Sequence, residues 1–174
     1  MHIWTLENWK YHFTNIQSRR SGLRFRFTSD VNTEVREACL KFGKWLRKEY
    51  FFPIRVPVYV KGKKYIKSMD GEMVYGTFFQ PYHEMYEPYI RVATGSYTDN
   101  LITLGRDDAL ALILETIAHE LTHYFQWIND IRLTEIGYER QAASYADYIL
   151  DEYASVVAVS YTHLRAHETA ANLV

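Results

Sequence analysis

Two histidines four residues apart frame a glutamate in the pentad His119-Glu120-Leu121-Thr122-His123. On a helix, residues at that spacing project from one face about a turn apart, so both imidazoles can hold one metal ion. Glu120, one step round the helix, falls on the open side of such an ion, where an activated water would lie. The pentad therefore offers two zinc ligands and a general base. A hydrolytic zinc site needs a third protein ligand and an open fourth position.

The pentad lies in an apolar run, Ala109 to Trp127, that reads as a buried helix beginning near Asp107 and Asp108 and broken by Asn129 and Asp130. Its neighbours Thr116, Ile117, Ala118, Tyr124 and Phe125 are uncharged. Histidine and glutamate are poorly suited to such a helix unless something pairs with them. A further helix, Thr134 to Tyr153, carries Glu139, Ala142, Ala143, Ala146 and Ile149 on one face. If it folds back antiparallel, Glu139 comes up to the histidine pair, and the small alanines let the two helices pack closely. Glu135, one turn earlier, is a rival ligand and Asp147 a weaker one.

Upstream, Leu23 to Phe27 alternates as a strand does, and Val31 to Tyr50 is an amphipathic helix with Ser29 and Asp30 as candidate caps. Ile54 to Val60, Met73 to Phe79 and Tyr89 to Thr94 read as strands, with Pro57 placing the first at an edge or bulge. Gly95 to Asp99 reads as a turn and Leu101 to Leu104 as a short strand. The order predicts an α+β fold: an N-terminal helix packed on a small, mostly antiparallel sheet, then the active-site helix and a C-terminal ligand helix.

The chain has 174 residues, 48% of them apolar, enough for one packed domain over residues 1–157. Twenty basic residues face 21 acidic ones, for a formal net charge of -1, which argues against a nucleic-acid partner. The cluster Arg19, Arg20, Arg24 and Arg26 among aromatics is the opposing sign, and motivates the alternative of a DNA-associated protease or binding module. The single cysteine, Cys39, has no internal disulfide partner and reads as a small core residue. Neither a signal peptide nor an apolar stretch of about 18 residues is apparent, so no membrane association and a cytoplasmic location are expected. Residues 158–174 read as an artefactual or disordered tail, with the natural C-terminus missing, because Ser160 to Thr169 resembles translated sequencing-adapter read-through. His163, His167 and Glu168 are set aside with it.

The run Glu139-Arg140-Gln141-Ala142-Ala143-Ser144-Tyr145-Ala146 resembles the E-x-x-A-x-x-[FY]-A signature on the ligand helix of gluzincin-type HExxH metallopeptidases, such as the IrrE/ImmA-like and HtpX-type groups. The resemblance covers about Thr116 to Tyr153. Metzincins do not fit, since Gln126 and Asn129 stand where glycine and a third histidine belong. An SprT-like pattern fits poorly, because no histidine follows His123 before the tail. The resemblance implies a zincin-like fold, Zn2+ held by His119, His123 and Glu139, and Glu120 as base. It also implies hydrolysis of a peptide or protein substrate, paired on an upstream strand for which Tyr89 to Thr94 is the nominee. Tyr138, Tyr145 and His83 are candidate oxyanion donors, and Asp151 or Glu115 candidate partners for the histidine rings. A non-catalytic protein braced by zinc is the remaining alternative.

Overall fold

The crossover from the first strand to the second sets the architecture. In the computed structural model, β1 (Leu23–Phe27) leads into α2 (Thr33–Glu49) and then β2 (Val56–Lys61), which lies beside β1 in parallel. A helix-length connection returns the chain to the starting end of the sheet, so the two strands must run the same way. After β2 come β3 (Ile66–Lys67) and β4 (Met73–Val74), a small antiparallel pair, then β5 (Gly76–Phe79) and β6 (Tyr89–Ala93). The main sheet has the order β1-β2-β6-β5, with β2 and β6 parallel and β5 antiparallel to β6. The fold is thus α+β, but the sheet is mixed, and the expectation of a mostly antiparallel one is corrected by the βαβ crossover. The description covers residues 1–13, 15–83 and 86–171, with side chains as far as Val157.

One face of the sheet is dry. Val56, Val58, Val60, Ile90 and Val92 are fully buried there, beneath α2 and the long helix α4 (Arg106–Ile128). Pro57 lies inside the sheet, not at an edge: β2 pairs with β6 only from Val58 onward, so the missing N–H removes no ladder bond. Asn32, not Ser29 or Asp30, caps α2, its side chain accepting from the Glu34 N–H at 2.8 Å. Tyr97–Leu104 forms the helix α3, where a turn and a strand were expected.

α4 ends where Asn129 caps it and Asp130 adopts a left-handed φ of 50°. The chain then reverses into α5 (Glu135–Ala171), whose Ala142, Ala146 and Ile149 are buried. The expected separate tail falls where no side chain is described. The first residues are part of the core: Trp4 is 2% exposed, stacks on Phe125 with ring centroids 4.9 Å apart, and donates its indole N–H to the Thr122 hydroxyl at 3.1 Å. Asn129 ties α4 to the same segment, donating to the Ile3 carbonyl and accepting from the N–H of Trp9, the first residue of α1 (Trp9–His12). No helix among the described residues is long and apolar enough to cross a membrane.

Candidate metal centre

α4 presents His119 and His123 to α5, and α5 answers with Glu139. The two rings stand at 78° with centroids 4.9 Å apart. His119 Nε2 lies 3.1 Å from Glu139 Oε2, and His123 Nε2 lies 3.1 Å from Glu139 Oε1. Ligands on a tetrahedral zinc with bonds of about 2.0–2.1 Å stand about 3.3 Å apart, so this spacing is compatible with a shared ion. The three residues form a group able to hold a metal, their ligand atoms within 4.8 Å of one another. Glu135 borders the same cleft without joining that group, and Asp147 stands near Glu115 instead.

The tautomer of His123 follows from its other side. Its Nδ1 lies 2.8 Å from Gln126 Oε1, and Gln126 Nε2 lies 3.0 Å from both the Tyr138 carbonyl and Gln141 Oε1. A backbone carbonyl only accepts, so the Gln126 amide must turn its NH2 toward Tyr138 and its oxygen toward the imidazole. Nδ1 is therefore the nitrogen that donates to Gln126, and Nε2 is the nitrogen turned toward Glu139. In a neutral ring the Nε2 lone pair would face the space shared with Glu139 and His119, where a cation could sit. The donor set, two imidazoles and one carboxylate, fits zinc with a position left open. Gln126, 3% exposed, is the ring partner where Asp151 or Glu115 was expected. The visible signal was a polar residue on the buried side of an apolar helix, three positions after the second histidine.

Glu120 is 7% exposed, and burial, with the charge of Glu139 adding to it, pushes its carboxyl up to about 8. Burial also lowers His119, with the neighbouring His123 pressing the same way and Glu139 opposing. Both shifts favour the neutral forms in the metal-free protein. The roof over Glu120 is Gly76, at the start of β5. A Cβ there would come within 2.7 Å of Thr116 Cγ2 and 3.0 Å of Glu120 Oε1, so only glycine lets the strand run this close.

The group opens on a cleft of about 1200 Å3 between β5, the β3–β4 pair and helices α4 and α5. Its walls include Asp70, Glu72, Glu115 and Glu135, with Arg132 as their basic neighbour. Of the candidate oxyanion donors, Tyr138 borders the cleft but donates to the Ile131 carbonyl at 2.8 Å. Tyr145 is turned to the N-terminus, donating to the Met1 carbonyl and accepting from the Ile3 N–H, and His83 is not part of the cleft wall. Tyr89–Ala93, the nominated pairing strand, is enclosed by β2 and β5, so its own backbone is already paired on both sides. Cys39 is buried, which pushes its thiol up to about 12, as expected of a core residue. Comparison with family models, with curated proteins and with solved structures gives no match to this chain.

Proposed function

We propose that the chain is a zinc-dependent metallopeptidase of gluzincin type. The observation that carries the proposal is the convergence of His119 Nε2, His123 Nε2 and the Glu139 carboxylate, with Glu120 buried next to them. His119, His123 and Glu139 would hold the ion. Zinc bound there supplies Lewis acidity, lowering the pKa of water toward neutrality and polarising a carbonyl.

Glu120 does the proton work. As water attacks the peptide carbonyl carbon, the Glu120 carboxylate accepts one of its protons, then delivers it to the leaving amine as the C–N bond breaks. A cation held by the three ligands would favour the carboxylate form of Glu120 despite its burial. β5 is one edge of the sheet, and Gly76, Thr77 and Phe78 line the cleft. An extended peptide added along this edge would cross directly over Glu120. Alternation along such a strand would send every second side chain toward the acidic wall of the cleft.

The test compares wild type with Glu120→Gln for bound zinc and for cleavage of casein and mixed peptides. One zinc per chain in both proteins, with hydrolysis lost only in the variant, supports the proposal. Zinc in both and equal activity, or no hydrolysis by zinc-loaded wild type, overturns it in favour of a bracing role for the metal.

A further inference from the structure

The other face of the sheet carries a different chemistry. Arg20, Arg24 and Arg55 line one shallow pocket of about 450 Å3 together with Ser21 and Gly22. The Arg55 N–H donates to the Arg20 carbonyl at 2.7 Å, which holds the bases of these two side chains side by side. Arg26 lies two residues beyond Arg24 on the same face of β1, and both are exposed. Among the described residues none of these four arginines forms an ion pair with a carboxylate. Like charges gathered without counter-ions repel, and an anion bound among them would relieve that repulsion.

Across the same face the neighbours are aromatic. Arg26 pairs in register with Tyr59, and Tyr59 with Arg91. The Tyr59 ring meets Tyr89 edge-on at 6.1 Å, and Tyr89 stacks on Phe79 at 4.7 Å. Residues at i and i+2 of a strand stand about 6.6 Å apart, a repeat that an extended polynucleotide backbone can follow. Every unpaired base offers a flat π-face to such rings, whereas bases stacked within a duplex do not. The net charge of -1 conceals this arrangement, because it averages an acidic cleft with a basic sheet face.

We infer that the solvent-facing side of the sheet binds single-stranded nucleic acid, with phosphates on Arg20, Arg24, Arg26 and Arg55 and bases on Tyr59, Tyr89 and Phe79. The site lies on the far side of the sheet from α4, so it is separate from the metal centre and independent of the peptidase reading.

The experiment is fluorescence anisotropy of the full chain with a labelled oligothymidylate, with the same-length duplex, heparin and anionic vesicles as comparisons. Four phosphate contacts on a single strand give a salt slope near -3, a loss of roughly 50-fold in affinity from about 50 to about 200 mM salt. Arg24→Gln/Arg55→Gln should weaken binding at least about tenfold, leaving zinc binding and the melting temperature unchanged. Tyr59→Ala should cost about tenfold and Tyr59→Phe almost nothing, since stacking needs only the ring. Three results would overturn the inference: no binding at low salt, a duplex or vesicle bound as tightly as the single strand, or loss in the arginine variant with Tyr59→Ala unaffected. The last would mean a general polyanion surface.

Discussion

Glu120→Gln should make the metal-free protein more stable at neutral pH. The carboxyl is buried and pushed from an ordinary 4.5 up to about 8, so between those values the folded chain keeps a proton that the unfolded chain has released. Stability therefore falls as pH rises from 4.5 to 8, with no contribution below that window and the full penalty above it. At pH 7, about 2.5 pH units above the ordinary value and at about 1.4 kcal/mol per unit, the folded state gives up about 3 kcal/mol. Glutamine has nearly the same shape and does not titrate. The lowered His119 removes stability as pH falls through 6.5, but it does so in both proteins and cancels in the difference. Urea denaturation in chelator from pH 4.5 to pH 8 reads the effect. At an m-value of about 2 kcal/mol/M, the variant's midpoint should lie about 1.5 M higher at pH 7 and coincide with wild type near pH 4.5. A difference independent of pH, or a less stable variant at pH 7, would refute the argument that Glu120 is held neutral by burial.

Two other perturbations probe the shell around the ligands. Gln126→Ala leaves His123 free to take the wrong tautomer and should lower zinc affinity about 10- to 100-fold in competition with a chromophoric chelator; unchanged affinity would remove Gln126 from the account. Gly76→Ala places a methyl 2.7 Å from Thr116 Cγ2 and 3.0 Å from Glu120 Oε1, and should destabilise by about 1–3 kcal/mol and reduce turnover. Adding Thr116→Ser removes the nearer clash, so the pair should be less than additive in thermal denaturation; strict additivity would place the strand elsewhere.

What the sequence made legible follows from where helical periodicity applies. The pentad and Glu139 lie on two helices whose faces are set by a 3.6-residue repeat, and the structure brings those residues together. The buried alanines of α5 were readable for the same reason. Strand direction is not a local property: β1 and β2 run parallel because α2 crosses between them, and only the crossover reveals it. Leu101 to Leu104 misled because a short apolar run fits a strand and a helix equally well. Trp4 carries no periodic pattern around it, so its place under α4 was invisible until the tertiary contacts were known. The arginine cluster was visible, but the overall charge masked it, and Arg55, distant in sequence, completes it only in the fold.

Zinc titration of wild type, Glu139→Gln and Glu135→Gln tests the central claim most directly. The account predicts one zinc per wild-type chain and an affinity unchanged in Glu135→Gln. It predicts a loss in Glu139→Gln of more than about 100-fold, the upper range for partners that only orient a ligand. A loss confined to Glu135→Gln, or no zinc bound by wild type, would contradict it.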